Sequence, residues 1–145
     1  MRAVLALTFV LALLSAARAQ IPPGPSELRS YAGLHGAAAK GDAGEIERLI
    51  AAGAKPDTPD AHGRTPLHVA AHLRHHAAAR ALLRLGANPN ALEAQRYDIV
   101  TIAAVNDDVA MLKAALEGGA NAGAVTSPYD GTALIAAAHL GHAEI

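Results

Sequence analysis

Cysteine and tryptophan are absent from the 145 residues, and the only phenylalanine is Phe9. Without cysteine there can be no disulfide, no thiolate metal ligand, no thiol nucleophile and no lipid attached at a processed cysteine. Aromatic residues make up 3% of the chain, so its core has to be assembled from alanine, leucine, isoleucine and valine. An excess of charge of one sign is missing too, with 12 Lys and Arg against 13 Asp and Glu. That balance is no footprint for nucleic acid, and no basic amphipathic stretch is available for an anionic membrane. The serines, Ser15, Ser26, Ser30 and Ser127, fall outside any nucleophile-elbow setting, and no glycine-rich loop has phosphate-binding spacing. The acidic pairs Asp107-Asp108 and Asp57 with Asp60 lie in turns, where aspartate bonds its own backbone; acid-base work needs a water-poor cleft. The chain is therefore read as non-enzymatic, with no catalytic residue and no cofactor.

What is present falls into two parts. Residues 1–19 combine the basic start Met1-Arg2, an apolar run over residues 3–14 and the small-residue pattern Ala17-Arg18-Ala19. This is the pattern of a signal peptide, with cleavage expected after Ala19. The apolar run is too short to anchor the chain across a bilayer, so no stable membrane insertion is expected after cleavage. Cleavage removes Arg2 and Arg18 and leaves 10 basic against 13 acidic side chains. The alanine-rich composition and compact signal point to a bacterial protein that is periplasmic or secreted. Residues 20–30, with Ile21-Pro22-Pro23-Gly24-Pro25, read as an extended, solvated Pro-rich linker.

From residue 31 onward the chain repeats itself. Gly53-Ala54, Gly86-Ala87 and Gly119-Ala120 are successive copies 33 residues apart. Aligning on them puts Leu34, Leu67 and Val100 in one column, Ala37, Ala70 and Ala103 in another, and Ile50, Leu83 and Leu116 in a third. A period of this size means stacked small units that bury their apolar stripes on one another. In the clearest copy Thr65-Pro66 starts a helix, with the hydroxyl as N-cap and proline at the first helical position. That helix ends near Leu73. A second runs from about His76 to Leu85, and the polar stretch after Gly86 reverses the chain.

Thr65-Pro66-Leu67-His68 with Ala70-Ala71, followed by Leu82-Leu83 and Gly86-Ala87-Asn88, resembles the ankyrin repeat. The resemblance covers residues 31–145, divided into units at 31–63, 64–96, 97–130 and an incomplete 131–145. It implies an all-α solenoid of stacked helix-turn-helix units joined by hairpin-like loops. The third unit departs from the pattern with Asp98-Ile99-Val100-Thr101, which signals either a weaker stack or a specialised face. The fourth begins at Thr132 after a loop one residue longer than the others, and the next Gly-Ala is due beyond Ile145, as expected of a fragment of a longer protein.

The resemblance also implies the function class: binding another protein through the loop tips and the concave face of the first helices. The residues it assigns to the partner are Arg64, Arg96, Tyr97, Tyr129 and Asp130 at the tips, and His72, Asn106 and His139 at first-helix ends. Tyrosine and arginine are frequent interface anchors, and Pro128 stiffens the Tyr129 loop. The competing reading is that such a tyrosine packs on the adjacent hairpin. A different class, metal binding by His72, His75 and His76, follows from their helical spacing. The column positions of His35, His68, His75 and His142 weigh against it by giving those residues structural hydrogen bonds. A third class makes the repeats a scaffold for a functional region beyond Ile145.

Overall fold

The small side chains of the alanine columns let helices approach closely, and that approach is the organising feature of the computed structural model. It describes residues 20–126 and 131–145. The expected signal peptide, Tyr129 and Asp130 lie outside these. Among the described residues there are eight helices: α1 (Pro25–Ser30), α2 (Gly33–Lys40), α3 (Ala43–Ala51), α4 (Pro66–His72), α5 (His76–Arg84), α6 (Ile99–Val105), α7 (Val109–Glu117) and α8 (Ala133–Leu140).

Helices α2, α4, α6 and α8 lie side by side in one layer, and α3, α5 and α7 in a second. The seam of the first layer is the alanine column: Ala37, Ala70, Ala103 and Ala137 are all buried. Leu34, Leu67, Val69, Ile99, Val100 and Ile102 fill the spaces around them, and Ile46, Ala79, Leu82, Met111 and Ala115 close the core from the second layer. α4 and α6 are covered on both sides. α8 exposes Leu134, Ile135 and Leu140.

Each first helix after α2 starts on a side-chain cap. Thr65 accepts from the His68 amide, Asp98 from Thr101 and Thr132 from Ile135. The third unit's departure from Thr-Pro therefore keeps the cap, at 2.8 Å, and α6 is buried from Ile99 to Ala104. Second helices α3 and α7 are capped by Asp42 and Asp108. Between the two helices of a unit the chain passes through left-handed backbone at Gly41, Arg74, Asp107 and Gly141. Glycine takes this conformation freely and the two non-glycine residues do so at a cost.

One expectation fails. Residues 20–30 are not an extended linker throughout, because Pro25 at the first helical position and Glu27 in the first turn start α1. The segment also bonds to the stack, as described below.

Candidate binding surface

The loops between units are hairpins made to one plan. The Asp60 amide donates to the Arg64 carbonyl at 2.9 Å, Glu93 to Tyr97 at 3.1 Å, and Thr126 to Gly131 at 3.0 Å. The last pair is one residue further apart in sequence, which is where the longer loop is accommodated. Within the first two hairpins an acidic side chain fills the turn. Asp60 Oδ1 accepts the amides of His62 and Arg64 at 2.8 and 2.9 Å, and Glu93 Oε1 accepts those of Gln95 and Tyr97 at 2.9 and 3.1 Å.

Histidines then fasten each hairpin to the helix of the preceding unit. His35 Nε2 bonds the Arg64 carbonyl at 2.8 Å, and His68 Nε2 bonds the Tyr97 carbonyl at 3.2 Å and the Ala91 carbonyl at 3.0 Å. Thr101 takes this place in the third unit, its hydroxyl 2.5 Å from that of Thr126. At the other end of the hairpins a second ladder runs from Asp57 to the Asn88 amide and from Asn90 to the Asn121 amide, both at 2.8 Å. The tips are thereby held in one register, with Ala61, His62, Ala94 and Arg96 exposed.

Arg64 and Tyr97 were expected at exposed tips, and both are buried, at 2% and 6% exposure. Tyr97 lies in the hydrophobic core. Arg64 is buried because the N-terminal segment covers it. Its Nε donates to Asp60 Oδ2 at 3.0 Å, Nη2 to Glu27 Oε1 and Nη1 to the Ile21 carbonyl at 3.4 Å. The Tyr31 hydroxyl donates to the same Asp60 oxygen at 2.6 Å, and His62 Nε2 lies 2.9 Å from Glu27. Burial alone would raise the Asp60 pKa, but the bonds from Tyr31, the two backbone amides and Arg64 bring it down to about 2. Glu27 is held below its usual value first by the Gly24 amide, at 2.7 Å, and then by Arg64.

The remaining assigned residues are spread along the first-helix layer. Arg96 is exposed, with φ 64°, in the column of Gly63. Asn106, the C-cap of α6, is half-buried, and His139 is exposed. His72 is partly buried; loss of solvent, then the nearby positive charge of His68 and Arg64, lowers its pKa to about 4. The other histidines are engaged: His75 with the Ala39 carbonyl at 3.1 Å, His142 with that of Ala104 at 2.7 Å, and His76 with Asp108 at 2.9 Å. Among the described residues no three His, Cys, Asp or Glu side chains are placed to hold a metal ion, the group His72, His75 and His76 included. A shallow hollow of about 420 Å³ between α5 and α7 opens on the second-helix layer. Arg84 on its rim pairs with Glu47.

Sequence reasoning missed the contacts of Ile21, Glu27 and Tyr31 with Asp60, Arg64 and Gln95 of these hairpins. The Pro25-Ser26-Glu27 start of α1 was a readable signal for local helix, but the docking of that helix has no counterpart in the repeat columns.

Among the described residues no helix is long and apolar enough to cross a membrane. No curated protein matches the chain. A family model for ankyrin repeats, in three copies, matches residues 6–93, more than half of the chain. Helices α6 to α8 beyond it repeat the same caps, hairpins and alanine seam. The chain belongs to the ankyrin-repeat family, whose repeats generally serve as protein-protein interaction modules and are typically non-catalytic.

Proposed function

We propose that this chain is a non-catalytic module that binds a partner protein through its loop tips and the concave side of its first-helix layer. The observation that carries this is the common register of the hairpins. Asp60, Glu93, the Asp57-Asn90 ladder and the two histidine fasteners fix successive tips relative to one another. A prefixed surface loses little conformational entropy on association. Asp60, Glu93, Asp98 and Asp108 serve turns and caps, and His35, His68 and His75 bond backbone carbonyls.

Arg96, His72, Asn106 and His139 are proposed as partner contacts, together with Tyr129 and Asp130, which lie between Thr126 and Gly131 in the sequence. Arg64 and Tyr97 act from below, by holding the tips. The direct test is affinity capture with the wild-type chain and an Arg96→Ala, His139→Ala double variant, with Lys113→Ala on α7 as control. The double variant is expected to lose a partner that the control retains. Equal recovery by all three refutes the surface assignment. We further propose export, with cleavage after Ala19, into the periplasm or out of a bacterial cell. N-terminal sequencing of the exported chain should read Gln20 first, and an intact Met1 overturns this.

A further inference from the structure

The side chain of Arg64 is buried in a repeat stack that, among the described residues, supplies one acid for it, Asp60. Its second acid and a backbone carbonyl come from the N-terminal segment, through Glu27 and Ile21. The next hairpin grips the same residue from the other side, as the Ile21 amide donates to Gln95 Oε1 at 3.2 Å. Two successive loops thus bond both backbone groups of Ile21, which is itself 64% exposed, while Pro23 just after it is buried. This mode of recognition is indifferent to the side chain at Ile21 and demanding about the carboxylate that follows. The grip is local to one place in the stack, because the column position of Arg64 holds Tyr97 in the next unit.

Beyond these bonds the segment buries Pro23 and rests Tyr31 against the core, but its helix adds little. α1 has six residues and none of them is buried, and a helix this short has no stability of its own. Its attachment rests on hydrogen bonds and ion pairs around Arg64, of which the Glu27 end is open to solvent, with His62 largely exposed beside it. A peptide from another protein can therefore replace the segment, provided that it brings backbone groups for both loops and a carboxylate for the guanidinium.

We propose that the surface around Arg64 and Gln95 is a receptor for an acidic peptide of a partner protein that presents backbone groups to both loops and a carboxylate to Arg64, and that residues 21–27 occupy it as an intramolecular competitor. This rests on the protein-binding reading above and adds to it the kind of partner and a gate. Opening the gate exposes Arg64 with Nε still on Asp60, and its Nη1 and Nη2 then offer donors to a carbonyl and a carboxylate.

The probe is a fluorescent synthetic peptide of residues 20–30, titrated by anisotropy against the full chain. The occupied wild-type site should bind it weakly, and Glu27→Ala, which loosens the internal competitor, should bind it at least about tenfold more tightly, since apparent affinity scales with the open fraction. A peptide carrying Glu27→Gln should not bind. Ile21→Pro, which removes the internal segment's amide donor to Gln95 and leaves the receptor's Arg64 and Gln95 in place, is the second variant and should also bind more tightly than wild type. In the wild type, saturating peptide should speed hydrogen exchange at the Leu28 and Tyr31 amides, which bond within the segment, and leave α4 protected. Equal binding to wild type and both variants, or none to folded variants, overturns the proposal, as does exchange at Leu28 that peptide leaves unchanged. Capture of a partner that the peptide does not displace overturns the receptor alone, and peptide binding with no partner captured overturns the protein-binding reading alone.

Discussion

His72 shows how a single residue records the cost of the surface it occupies. Its folded pKa of about 4 lies below the ordinary 6.5 because it is held away from water beside His68 and Arg64. Above pH 6.5 the imidazole is neutral in both folded and unfolded chains and has no effect on the pH dependence. As the pH falls from 6.5 toward 4 the unfolded chain takes up the proton first, so stability is lost over that window, by roughly 2–3 kcal/mol. His68, whose pKa burial also lowers, contributes a slope of the same sign. Urea unfolding of His72→Gln at pH 7 and pH 4.5 should therefore show a smaller drop between the two than wild type, without abolishing it. An unchanged drop refutes the assignment. Asp60 acts in a separate window. Its depressed pKa means stability present above about 3.8 and lost as the pH falls toward 2, which keeps the two groups distinguishable.

At the scale of elements, the hairpin is where backbone cost and surface meet. Gly63 takes φ 73° at the first tip, and Arg96 takes φ 64° in the same column of the second. A left-handed arginine is disfavoured by about 1 kcal/mol, tolerated because Glu93 and the His68 fastener determine the turn around it. Arg96→Gly should raise the thermal midpoint by an amount corresponding to about 1 kcal/mol while removing a proposed contact, so stability and partner retention should move in opposite directions. A stability loss on calorimetry sinks this account. The helices and their caps were legible in the sequence because each depends on residues close to it, such as Thr65 before Pro66 or Asp98 three residues before Thr101. The extra loop residue was legible because the 33-residue column exposes any slip. Burial of Arg64 was not, since it depends on Glu27 and Ile21, 37 and 43 residues away, in a segment outside the repeat. Tyr97 was misplaced for a related reason: a tip residue in the sequence column can point its ring into the core.

At the scale of the whole molecule, the described helices pack chiefly on those of their own and adjacent units, so stability is a sum of unit and interface contributions and need not be uniform. α4 has α2, α5 and α6 against it, and α6 has α4, α7 and α8. α8 packs on α6 and leaves Leu134 and Ile135 more than 60% exposed, and α1 buries no residue. Hydrogen exchange should therefore be slowest at Val69 and Ala70 in α4 and at Ile102 and Ala103 in α6, faster at Ala137 in α8, and fastest at Leu28 in α1. The gradient makes a second expectation possible. Leu67 is fully buried at the centre, and Leu67→Ala should cost about 2–5 kcal/mol and lower protection in α2, α4 and α6 together, because both flanking interfaces pass through its unit. Ala136→Gly, in the interior of α8, should cost about 1 kcal/mol of helix propensity and speed exchange in α8 while α4 stays as slow as before. If the two substitutions reduce protection by the same factor in every helix, the chain unfolds as one cooperative body and the neighbour-by-neighbour account fails.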